Sequence, residues 1–279
     1  MQIRKIAISL SILFLIWLPL SCLYAAAWLQ PKDKLLTISN TQIYESCQYW
    51  NAEGQLKNGS CFFQYALQPY YEYGMTKKFT VVLNPLFDTF YQSSFSVPFG
   101  FESLFFAGRY ELWQKEWSVI SAQFGYNAPV RTGLFGNPAI PISTFALINR
   151  TRYLDLRILF GTGGAFDSDK RNTWYFDAEF GYDPNFSGAS DEAKINFMLG
   201  WKTQNGRLVF ELQEWNALRI KPATNALYPN YSLATVMGNI IYWMVPEIVA
   251  FQLGIQQDFW GNNIGQGTAP FISLWWRFS

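Results

Sequence analysis

The chain has 279 residues, a mean hydropathy of +0.00 and a formal net charge of +1. That allows one large domain or two small ones, and gives no basic surface of the kind that tracks a phosphate backbone, so a nucleic-acid partner is not expected. Phe, Tyr and Trp make up 19% of the residues and charged residues only 15%, which excludes disordered and fibrous classes. Histidine is absent, and with it goes the side chain most used as general base, nucleophile partner and transition-metal ligand.

At the N-terminus, Arg4 and Lys5 precede an apolar run from Ile6 to Leu20, and Ala25, Ala26 and Ala27 then offer small residues before Trp28. This is the three-part pattern of a secretory signal peptide, so residues 1–27 are expected to be removed after Ala27, leaving a mature domain over 28–279. The apolar run is shorter than the roughly 20 residues of a spanning helix. Cys22, directly after Leu20 and Ser21, leaves lipidation as an alternative to that cleavage. Without the leader the mature chain is close to neutral, and the remaining pair Cys47 and Cys61 is expected to form a disulfide across the mouth of a first outer loop.

From there the hydrophobic pattern has a period of two, as in strands with one apolar face. Twelve such segments are predicted, near residues 35–48, 61–73, 78–86, 102–113, 117–127, 151–161, 173–182, 193–202, 206–215, 231–244, 247–259 and 269–278. The last ends on alternating Ile272, Leu274, Trp276 and Phe278, with Ser279 beyond. Even-numbered connections are short at Gly74–Lys77, Gln114–Glu116, Thr203–Asn205 and Val245–Pro246, while Thr162–Asn172 breaks the rule. Odd-numbered connections are longer, including an aromatic stretch from Phe87 to Glu102 and the three-proline span from Ala128 to Arg150. An even strand number with alternately short and long connections predicts an all-β transmembrane antiparallel barrel of about 12 strands in a Gram-negative outer membrane.

The same alternation sorts the charges. Arg109, Glu111, Asp155, Arg157, Asp177, Glu179, Lys194, Lys202 and Glu211 fall opposite the apolar face and are the candidate lumen-lining residues, because a cation at the lipid midplane costs about 2–4 kcal/mol. Their mixed signs predict ion pairs across the lumen, with Trp113, Trp117 and Trp275 as candidate closing groups. The run Gly161-Thr162-Gly163-Gly164 follows a strand but opens no helix, so it is expected to be a flexible turn rather than a phosphate cradle. No His/Cys metal cluster exists in the sequence, no cofactor is expected, and loop carboxylates such as Asp167 and Asp169 suit at most weak Ca²⁺ binding. Outer-membrane enzymes of this size depend on histidine, so the chain is not expected to be an enzyme.

The stretches Ala27-Trp28-Leu29-Gln30-Pro31-Lys32, Tyr73-Gly74-Met75-Thr76-Lys77-Lys78-Phe79-Thr80, Tyr175-Phe176-Asp177-Ala178-Glu179-Phe180-Gly181-Tyr182, Asp191 with Lys194–Trp201, Leu253-Gly254, Gly261-Asn262-Asn263 and Trp275-Trp276-Arg277-Phe278 resemble XagA-like outer-membrane proteins. The resemblance covers most of the mature chain except 87–101 and 128–150, and implies a monomeric surface barrel embedded in outer-membrane lipid, without implying a substrate. More distantly, through the Gly74 turn, the chain is similar to FadL-like barrels that pass hydrophobic compounds. Two functions follow as expectations: a narrow passage protein for a small or amphipathic solute, or a non-transporting structural or adhesion protein whose aromatic outer loops meet partners.

Overall fold

The computed structural model describes residues 27–92, 95–130, 151–167, 172–203, 206–224 and 230–278. Its elements are β1 (Leu35–Trp50), β2 (Leu56–Thr76), β3 (Phe79–Gln92), β4 (Phe95–Lys115), β5 (Ser118–Pro129), β6 (Tyr153–Ala165), β7 (Thr173–Asp183), β8 (Asp191–Lys202), β9 (Leu208–Lys221), β10 (Ser232–Val245), β11 (Val249–Asn262) and β12 (Ile264–Phe278). Each pairs antiparallel with its neighbours in sequence, and β1 pairs with β12 from Leu35↔Phe278 to Trp50↔Ile264, which closes the sheet. A closed barrel leaves no row of unpaired amides and carbonyls, the condition for placing strands in hydrocarbon.

Alternation decides which face each residue takes. On β11 Leu253, Ile255 and Phe259 are exposed while Gln252 and Asp258 are buried; on β12 Ile272, Leu274, Trp276 and Phe278 face out while Ala269, Phe271 and Ser273 are covered. The inversion of the usual soluble arrangement, apolar outside and polar inside, is that of a lipid-embedded barrel. The start of β1 and the end of β12 lie at one rim, taken as periplasmic. There the outer wall carries aromatic pairs, Trp201 against Phe210 at 5.9 Å and Trp276 against Phe278 at 6.0 Å. Two turns at this rim are tight: left-handed backbone at Glu116 (φ 45°) and Glu247 (φ 60°) reverses the chain within two or three residues.

Four expectations about connections are corrected. The Phe87–Glu102 stretch is not an aromatic loop: β3 and β4 continue as one hairpin to Gln92↔Phe95. Bulges opposite Leu86/Phe87 and Asp88/Phe90 each insert an extra residue in β4 and shift its inside/outside phase twice, which hid the alternation there, whereas β3 keeps Leu86, Asp88 and Phe90 inside. Phe87 and Phe101 stack outside at 5.0 Å, whereas Phe90 packs inside with Phe62 and Tyr44. The last outer connection is likewise a single residue, Asn263 at φ 51°. Its flanks are glycine-rich because Tyr44 lies over Gly267, where a Cβ would approach the ring to 2.1 Å.

Cys47 and Cys61 are joined by a disulfide. The bond lies in the wall rather than at a loop mouth, because β1 and β2 pair onward past it to Trp50↔Leu56 and only 51–55 connect them. The Gly161-Thr162-Gly163-Gly164 run is also strand, not turn: it completes β6 and pairs with β7 from Gly161↔Asp177 to Gly164↔Trp174. Trp113 faces outward beyond a bulge at Glu111/Trp113 and closes nothing, whereas Trp275 turns inward and donates from its indole to Gln252 at 2.8 Å. Trp117 lies in the connection between β4 and β5. The span 131–150 and Asp169 lie outside the described residues.

Candidate functional site

The lumen is filled at its periplasmic end by the chain's own N-terminal segment. Ala27 is fully buried and packs on Val119 and Leu159 together with Trp28, and Ser121 Oγ donates to its carbonyl at 2.8 Å. Gln30 donates from its backbone to Thr80 Oγ1 at 3.0 Å and from its side chain to Glu72 at 2.7 Å. The segment leaves the lumen at Lys32, which bridges to Gly74 at the rim. Two glycines make this possible. A Cβ on Gly74 would meet the Pro31 carbonyl oxygen at 2.1 Å. A Cβ on Gly161 would meet Asp177 Oδ1 at 2.7 Å, the Trp28 indole nitrogen at 2.8 Å and Ala27 Cβ at 3.0 Å. Beside the segment, Tyr175, Val209, Ile241, Trp243 and Ala250, with Met198 and Trp275 against them, fill the rest of the floor.

Above this floor a continuous polar chain runs along the inner wall from β2 to β8. Glu72 accepts from Tyr70 at 2.5 Å and from Arg109 at 3.0 Å. Arg109 also donates to Gln123 at 3.0 Å and to the Trp28 carbonyl at 3.4 Å. Gln123 passes the chain to Asp155 at 2.9 Å, and Arg157 joins Asp155 at 2.6 Å to Glu179 at 2.6 Å, where Asn196 donates at 3.1 Å. Arg109 and Glu72 are almost fully buried, and a charge can occupy such a place only when paired and hydrogen-bonded.

Of the sequence-predicted residues, Arg109, Asp155, Arg157 and Glu179 thus belong to one network. Lys194 sits higher, with Glu192 at 2.5 Å and Asp183 at 3.7 Å. Asp177 is buried at the floor beside the N-terminal segment. Glu211 accepts from Tyr175 and, at 3.3 Å, from Gln213. Two lie apart at the periplasmic rim: Glu111 is 3.6 Å from Lys78, and the Lys202 side chain lies over Gly206 in the β8–β9 turn. Sequence reasoning missed Glu72 and Gln123, although both sit on inward positions of the period-two pattern. It also missed Asp258, which accepts from Tyr44 at 2.8 Å and Thr235 at 2.6 Å, and the N-terminal segment, for which periodicity carries no signal.

Between this network and the outer rim lies a chamber of about 560 Å³, bounded below by Arg109, Gln123, Arg157 and Glu179 and above by Asp183, Lys194 and Leu233. Among the described residues, every charged group lining it has an oppositely charged partner within 4.0 Å. One outward-facing pair also breaks the apolar pattern. On β9 Glu211, Gln213 and Trp215 face the lumen, so by alternation Glu214 and Asn216 take the outer side, between Leu212 and Leu218 and beside Phe197 and Val236 of the flanking strands, although Asn216 also borders the chamber.

No family model matches the chain, and no curated protein is similar to it in sequence. Its fold is that of an outer-membrane channel from Pseudomonas putida F1, with a TM-score of 0.67 at 10% identity over 92% of this chain and 100% of that one. The NanC porin matches with a TM-score of 0.45 at 8% identity, over 85% of this chain and 98% of its own length. The CymD monoaromatic hydrocarbon channel gives 0.42 at 11% identity over 89% of each chain. The first of these likenesses shows a shared outer-membrane barrel architecture.

Proposed function

We propose that the chain is an outer-membrane passage protein for a small solute, monomeric and without catalytic activity or a resident cofactor. The observation that carries this reading is the chamber itself: a charge-compensated space of about 560 Å³ with polar and apolar lining, over a floor held by noncovalent contacts of residues 27–31 and a side-chain cluster. Barrels of eight strands are filled by their side chains, whereas sixteen leave a water channel, and twelve leave room for both a chamber and a plug. The aromatic stretch that favoured adhesion forms wall and core in β3 and β4 rather than a surface loop. The resemblance to XagA-like proteins rests on the sequence stretches quoted above and agrees with a monomeric surface barrel. Removal of the leader belongs to the same reading, with the cut placed before Ala27 rather than after it, because Ala27 is buried in the floor on Val119 and Leu159.

The test is single-channel recording of the purified, reconstituted protein in a planar bilayer. Small, steady conductance steps are expected, because Arg109 and the N-terminal segment narrow the path. Silence at every voltage below membrane breakdown, from protein shown to be folded, overturns passage.

A further inference from the structure

The chamber has the chemistry of a binding site, and its lining restricts the occupant. Arg109, Arg157 and Lys194 are each held by carboxylates within 4.0 Å, so an anionic solute would have to break existing pairs to gain a cation. Glu179 and Asp183 are engaged in the same pairs, and a cationic solute faces the same cost. What the wall offers freely is neutral. Gln68, Asn84 and Gln256 line the chamber, and Asn84 Oδ1 is buried without a hydrogen-bond partner among the described residues. Against these amides stands Trp215, whose residue surface remains 39% exposed although it points inward. An exposed indole is an apolar shelf in a space of mixed lining, to which Val82, Leu86, Phe105 and Leu233 also contribute beside the amides.

From this juxtaposition we propose that the chamber binds an uncharged polyhydroxylated solute, a mono- or disaccharide, with one apolar ring face on Trp215 and its hydroxyls on the amides. This deepens the passage reading and rests on it for its purpose, though not for its binding test. Hydroxyls both donate and accept, as amides do, so one solute can satisfy donors and acceptors around the wall. A simple aromatic hydrocarbon would cover the indole but leave the amides desolvated and unpaired, which is unfavourable for each buried group. The volume of about 560 Å³ lies within the usual range for small-molecule sites, about 300–1,000 Å³.

The experiment titrates detergent-solubilised, heat-modifiable protein with maltose, phenol and glutamate by isothermal titration calorimetry, and records current interruptions by the same three solutes. Saturable maltose binding is expected, weakened about tenfold in Trp215→Ala and retained in Trp215→Phe, with phenol and glutamate inert at the same concentrations. Phenol or glutamate binding without maltose, or maltose binding unchanged in folded Trp215→Ala, overturns the proposal. The two readings fail separately. Conductance without maltose binding removes the saccharide and leaves passage, whereas maltose binding in a silent barrel leaves the site and removes passage.

Discussion

Glu214 is a charged side chain on the outer wall, with Leu212 and Asn216 beside it along the strand and Phe197 and Val236 across it. Asn216 offsets part of the cost by donating to it at 3.3 Å while also donating to the Ile195 carbonyl at 2.9 Å. An acidic group on a lipid-facing strand costs less than the roughly 2–4 kcal/mol of a cation. Glu214→Leu is accordingly expected to stabilise the barrel by about 1–2 kcal/mol, read as a higher temperature at which the compact gel band converts to the unfolded one. A lower conversion temperature would mean that Glu214 does not face lipid. Inside, Arg157 is the junction between Asp155 and Glu179, and removing it leaves two carboxylates beside each other. Arg157→Ala should cost about 2–3 kcal/mol and shift conductance toward cations, whereas Phe197→Ala on the outer face should alter stability or insertion and leave selectivity unchanged. A selectivity shift in Phe197→Ala would invert the assignment of faces.

At the scale of elements, the N-terminal segment is the part most sensitive to a single methyl group. Gly161 lies under Ala27, the Trp28 indole and Asp177, all within 3.0 Å of where a side chain would begin. Gly161→Val should leave β6 paired, since valine suits a strand, and should displace the segment. Larger conductance with unchanged heat-modifiability is the expected outcome; unchanged conductance would mean that the floor does not limit the path. The same glycine shows where sequence reading stops. All twelve strands were legible, because lipid on one side and water on the other impose a strict period of two, and β7 and β8 follow it without a bulge in their pairing. The outer half of the β3–β4 hairpin was not legible, because two bulges in β4 reset its phase. The glycine run read as a turn because its purpose, space for another segment, exists only in three dimensions. For the same reason the inward side of Arg157 could be read from spacing, but its place in a chain reaching Glu72 could not.

For the whole molecule, closure rather than a buried apolar core is what resists unfolding. With β1 hydrogen-bonded to β12 over the length of both strands, detergent finds no edge from which to peel the sheet. Unboiled protein should therefore migrate faster than boiled protein on a denaturing gel and be recovered with outer membranes. Equal mobility together with recovery in the soluble periplasmic fraction would contradict the architecture.

The contacts of the N-terminal segment also set an order of assembly. Its hydrogen bonds and packing reach Glu72, Thr80, Val119, Ser121 and Leu159, with Arg109 on its backbone and Gly161 beneath it, and all of these lie on β2 through β6. The seam that closes the cylinder needs β12, which comes after all of these in chain order. The first half of the sheet can thus receive its stopper while still an open trough. No step is then required in which a loose end is threaded into a finished tube, and the closing strand seals in a piece that is already seated.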